Sequence, residues 1–187
     1  MESMEKQIFI VPGWTNSGPG HWQSIWQLKN PSWIRIEQDN WITPTVSAWV
    51  SNIEKYVSSS LTPAILIGHS LGCVAIIKWA ELTKLKIAGA FLVAPADVEL
   101  STTPKEIECF CPMPKKKLIF PSYLIASDND PYLSLARATQ FASWWGSKLT
   151  VVENAGHINT ESGHGEWIEG QGLLNKFMCE LSKDGFV

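Results

Sequence analysis

Residues able to do chemistry gather at three places in the chain. The first is Gly68-His69-Ser70-Leu71-Gly72, one serine fenced by glycines, with the apolar AILI before it and CVAII after it. A G-x-S-x-G run between a strand and a helix makes a sharp turn. Its glycines let strand and helix pass closely, and the serine hydroxyl projects outward. The start of the following helix aims N–H groups and a partial positive charge at the same spot, as a developing oxyanion requires. The pentapeptide alone is a weak signal. Its setting makes Ser70 the candidate nucleophile.

A serine at neutral pH needs a base, usually histidine, oriented by a carboxylate. The chain has four histidines. His157, in VVENAGHINTE, follows the last predicted strand and precedes the last helix, and Gly156 permits a tight turn there; it is the candidate base. His164, in SGHGEW, lies further from the strand end and suits a cap or a substrate contact. His69 belongs to the turn and is expected to point away from the serine's side, while remaining a candidate pocket residue. His21, in GPGHW, opens the first helix as a cap or cleft wall. For the acid, LIASDNDPYLS offers Asp128 and Asp130, and FLVAPAD offers Asp97. Pro131 gives Asp130 the most defined backbone position; Asp128 and Asp97 remain alternatives that otherwise suit turn caps. The expected oxyanion donors are the backbone N–H of Leu71 and that of Trp14, which follows Gly13 in the glycine-rich VPGWTNSGPGHW.

These residues need a scaffold. KQIFIV (6–11), WIRIE (33–37), AILIG (64–68), IAGAFLVA (87–94), LIFPSYLIA (118–126) and LTVVE (149–153) read as strands. Between and after them, residues 21–29, 45–59, 71–84, 131–146 and 165–182 read as helices. Nearly continuous apolar strands alternating with helices predict an α/β fold, a mostly parallel sheet of about six strands flanked by helices on both faces. Ligands then sit beyond the carboxyl ends of the strands, where the candidates fall. The only room for a lid is residues 95–114, so little or no lid is expected. Trp14, Trp22 and this segment are the expected walls of an apolar pocket, with His69 and Asp97 as further pocket candidates.

The 187 residues suit one domain, residues 1–187. At 45% hydrophobic, 18% charged and a net charge of −3, the composition is that of an ordinary globular protein and argues against a nucleic-acid partner. Lys115-Lys116-Lys117 reads as a solvated gatekeeper of the strand expected from Leu118. The N-terminus has no secretory pattern, and the longest apolar run, IAGAFLVAPA, is well short of the roughly 20 residues of a membrane span. Cys73, Cys109, Cys111 and Cys179 show neither a disulfide nor a metal pattern, so a reduced, cytoplasmic protein without metal or other cofactor is expected. The ten tryptophans are expected in the core or along an apolar cleft.

Taken together, PGW…GPGHW, GHSLG, VAPAD, SDNDPY and AGHINTESGHGEW resemble the small serine hydrolases of the YdeN and retinoblastoma-binding-protein-9 type, over nearly the whole chain. The resemblance implies a compact α/β-hydrolase, with the nucleophile on Ser70, the acid on Asp130 and the base on His157. The L-x-C-x-E motif that binds retinoblastoma-type pockets has only LGCVA here, with Ala75 where the acid belongs, so no such partner is expected. The expected activity is hydrolysis of small acyl esters through an acyl-enzyme. An aminopeptidase or thioesterase would use the same triad, and a silent binding protein would keep the fold without turnover.

Overall fold

The computed structural model describes residues 6–183. Its strands are β1 (Gln7–Val11), β2 (Ile34–Arg35), β3 (Ala64–His69), β4 (Gly89–Val93), β5 (Ser122–Ser127) and β6 (Lys148–Val152). They form one six-stranded sheet in the order β2-β1-β3-β4-β5-β6, with every pairing parallel. All of β3 is buried because both faces of the sheet are covered. Strand alternation divides its side chains. Ala64 and Leu66 face a core built with α2 (Val46–Ser58), α3 (Leu71–Leu82) and α4 (Leu135–Trp145). Ile65 and Ile67 face a second core built with α1 (Trp22–Lys29) and α5 (Ile168–Lys183). The tryptophans are shared between them: Trp49, Trp79 and Trp145 in the first, Trp22, Trp26 and Trp167 in the second.

The strand expected over 33–37 shortens to Ile34–Arg35, and three elements start three or more residues later than expected, each for a local reason. The strand expected over 118–126 begins only at Ser122. Leu118 N–H is spent on Trp145 O, and Pro121 has no N–H to give a ladder. The lysine run therefore precedes a loop rather than a strand, and Lys115 Nζ lies over the Trp144 ring at 5.1 Å. The helix expected from Pro131 begins at Leu135, where Ser134 Oγ caps it by accepting the N–H of Arg137. Residues 131–133 turn instead, because Tyr132 N–H bonds back to Asp130. The final helix starts at Ile168 and not 165, after Trp167 takes a positive φ of 44°.

The segment 95–114 is packed down. Its short 3-10 helix, Lys105–Phe110, buries Ile107 and Phe110, the latter edge-on to Trp49 with ring centroids 5.6 Å apart. Among the described residues no helix is long and apolar enough to cross a membrane.

Candidate active site

The strand β3 runs straight into Ser70, whose φ of 53° and ψ of −123° lie where a side chain is strained by about 1–3 kcal/mol. The surroundings hold it there. Ser70 N–H donates to Val93 O at 3.1 Å, and α3 begins one residue later. A Cβ on Gly72 would lie 2.2 Å from Val11 O and 2.5 Å from Pro12 O, so only glycine lets α3 pass β1 this closely. Gly13 backs onto the same turn: a Cβ there would meet Ser70 Cβ at 2.9 Å. The chain after β1 is thereby pressed against the serine. Neither the Leu71 N–H nor the Trp14 N–H donates to another group among the described residues.

From Ser70 a continuous hydrogen-bonded run crosses the carboxyl end of the sheet. His157 Nε2 is 2.9 Å from Ser70 Oγ. On its other side, Nδ1 is 2.9 Å from Asp130 Oδ2 and 3.0 Å from Oδ1. A carboxylate can only accept, so Nδ1 carries the proton and Nε2 presents its lone pair to the serine hydroxyl. Asp130 Oδ1 is fixed in turn by Tyr132 N–H at 2.8 Å.

The loop carrying His157 is gripped residue by residue. Asp128 Oδ1 accepts Asn154 N–H at 2.7 Å, Ser127 Oγ accepts Ala155 N–H at 2.9 Å, and Asn129 Oδ1 accepts Gly156 N–H at 2.7 Å. Asp130 then takes His157 itself. SDND thus holds NAGH, one residue each. The carbonyls are held as well: His69 Nε2–H donates to His157 O at 2.9 Å, and Trp22 Nε1–H to Ile158 O at 2.9 Å. This stitching holds a strained backbone, with positive φ at Asn154, Gly156 and Ile158 (53°, 56° and 48°).

A family model described as serine hydrolase matches residues 8–176. The chain belongs to the serine hydrolase family. YdeN of Bacillus subtilis is 25% identical over 172 residues, 86% of this chain and 90% of YdeN. The crystal structure of a YdeN-like protein from Pectobacterium atrosepticum is 36% identical, with a TM-score of 0.83 over 95% of this chain and 92% of that one. The carboxylesterase CesB of Bacillus subtilis, at 13% identity, shares the fold: its TM-score is 0.67 over 95% of this chain and 85% of its own. The sheet of this serine hydrolase is that of a compact α/β-hydrolase, and the chain is of YdeN type.

Other residues of the hydrolase lie elsewhere than the sequence suggested. His69 does not point away from the site; it lines the cavity over Ser70 and fastens the His157 loop. Trp22 is not a pocket wall: it is fully buried in the second core, and its indole N–H is the clamp on Ile158 O. Asp97 is not in the cavity lining, and the carboxylate bonded to His157 is that of Asp130. The Asp97 carboxylate is paired with Arg137, Nε to Oδ2 at 2.6 Å and Nη2 to Oδ1 at 2.8 Å. Asp128 holds Asn154, and His164 sits beside Ser162 and Trp167, outside the cavity. Trp14 does line it, with Asn16, His21, Ala96, Ile107 and Tyr132.

The cavity measures about 280 Å³, and no Asp, Glu, Lys or Arg lines it. A larger one, about 690 Å³, opens beside Val57, Leu61, Ile87 and Phe120 and holds none of the candidate residues. Both wall histidines are uncharged at neutral pH. Burial chiefly, then Arg35 and His157, push His21 down to about 3. Burial chiefly also holds His69 well below the ordinary histidine range.

Proposed function

We propose that this serine hydrolase cleaves small acyl esters through an acyl-enzyme on Ser70. His157 Nε2 takes the hydroxyl proton as Ser70 Oγ attacks the carbonyl, and Asp130 keeps the imidazole in the tautomer that can accept it. The oxyanion settles between the Leu71 and Trp14 N–H groups. His157 returns its proton to the leaving alkoxide, and a water activated by the same nitrogen then releases the acid. Substrate and water apart, every step uses groups of this chain, and the partner is a small molecule.

The observation that carries this reading is the run from Ser70 Oγ through His157 to Asp130, with 2.9 Å at each join. A small uncharged cavity with the 95–114 segment packed down supports compact, neutral acyl groups over long chains. The esterases among the structural neighbours support the same choice at the level of fold.

The test is intact-protein mass after a fluorophosphonate probe. One adduct on the wild type and none on Ser70→Ala is expected. No adduct on a folded wild type would overturn the reading. Matched p-nitrophenyl esters, acyl thioesters and aminoacyl anilides then separate leaving groups: anilides cleaved best would reject the ester preference.

A further inference from the structure

The mechanism above leaves one buried donor in the cavity wall unused. His21 is 6% exposed, and its Nδ1 accepts Gln23 N–H at 3.2 Å as the N-cap of α1. In a neutral imidazole the accepting nitrogen bears no proton, so the proton sits on Nε2, which is a donor. That Nε2 has no hydrogen-bond partner and is shielded from bulk water. Buried donors without partners are rare and costly. Among the described residues two other side chains share this state, Gln38 and Trp167, and neither lines the cavity over Ser70. His21 does.

Its mounting is rigid. Gln23, next to Trp22 on the same helical turn, donates through Nε2 to Val11 O at 3.3 Å and Ile67 O at 3.1 Å, tying α1 to the ends of β1 and β3. The neighbouring imidazole of His69, 4.7 Å away between ring centroids, has already spent its N–H on His157 O. A free, tautomer-fixed N–H thus belongs to a side chain of the cavity that holds the reactive serine, covered by neighbouring wall atoms, so that an acyl oxygen reaches it as those side chains give way.

We propose that His21 Nε2–H is a recognition donor for the acyl group, receiving an uncharged oxygen carried beyond the scissile carbonyl. The inference rests on the esterase reading above. The acyl group is the part that stays on Ser70 through both half-reactions, so a donor in the wall serves it throughout. An uncharged oxygen fits because no charged side chain lines the cavity, and Arg35, the cation that acts on His21, spends its N–H groups on Asn16, Ser17, Ser24 and Gln27, so a carboxylate brought there would lose its water without a direct ionic partner. A keto, ether or hydroxyl oxygen on a short acyl chain meets the requirement.

The experiment compares near-isosteric p-nitrophenyl esters: methoxyacetate against butyrate, and 4-oxopentanoate against 4-methylpentanoate. Each pair is measured as a kcat/KM ratio on the wild type, His21→Asn and His21→Phe. Asparagine keeps an acceptor for the cap and withdraws the imidazole N–H; phenylalanine keeps a ring without the donor. The intrinsic reactivity of each ester cancels, since all three enzymes meet the same compounds. The expected result is an oxygenated-to-hydrocarbon ratio roughly three- to tenfold lower in the variants for at least one pair. Ratios unchanged in both pairs, with hydrolysis intact and either variant folded, would overturn this inference alone. No hydrolysis of any ester by the wild type, with no fluorophosphonate adduct, would instead overturn the esterase reading and this inference with it.

Discussion

Acid should weaken this hydrolase through His21 by an amount the fold sets. In the unfolded chain the ring titrates near 6.5; in the folded one it titrates at about 3, burial being the first cause and Arg35 the second. Between those values the unfolded chain holds a proton that the folded chain does not. The free energy of unfolding therefore falls as pH falls through that window. From pH 7 to pH 5 this one ring accounts for about 2 kcal/mol, a sizeable part of an ordinary domain's stability. His69 acts in the same direction, again through burial. Urea unfolding at the two pH values, followed by the fluorescence of the ten tryptophans, measures the loss. His21→Asn supplies the reference, since asparagine does not titrate and still caps α1. Carboxylates titrating in the same range are common to both proteins and cancel. The wild type should lose about 2 kcal/mol more than the variant. Equal losses would refute the claim that the folded chain holds this ring neutral.

Three further outcomes follow from the site. Asp130→Asn should lower kcat by about 10⁴ with an unchanged circular dichroism spectrum, because the imidazole loses the partner that fixes its tautomer. Asp128→Asn, whose amide oxygen can still accept Asn154 N–H, should stay within a few-fold of wild type, and the reverse ranking would sink the assignment of the acid. Gly72→Ala puts a methyl against two backbone carbonyls at 2.2 and 2.5 Å, so thermal unfolding should show a loss of about 3 kcal/mol or more. A wild-type melting temperature for that variant would contradict the close passage of α3 beneath β1.

Much of the sheet was readable because a strand covered on both faces is apolar throughout, as AILI is. The boundaries that moved lay where apolar residues pack without pairing: Leu118 and Phe120 are buried, yet Pro121 stops the ladder from reaching them. Ser70, Asp130 and His157 could be picked out because a parallel sheet sends its chemistry to the strand ends, and the structure brings these three side chains together there. The residues around them were harder. Asp97 looked available because Arg137, 40 residues on, gives no local sign of its partner. Trp22 looked like a cleft wall because its clamp on Ile158 O joins residues 136 apart. Nothing in the sequence singles out Ser127 and Asn129. Their use depends on the neighbouring loop taking positive φ values, which a residue such as Ile158 does not advertise.

The loop that carries His157 hangs from β6, and β6 is an edge strand, paired only with β5. Edges open at lower free energy than sheet centres. Should β6 fray, the ladder from SDND to NAGH opens with it, and the imidazole leaves the serine while β1, β3 and β4 remain folded. Catalytic competence and the folded core are then two separate transitions in one chain. In hydrogen exchange the amides of 154–156 belong to the first and those of β3 to the second. Mild heat or denaturant would silence this enzyme well before it unfolds it, and cooling would restore activity without any refolding of the core.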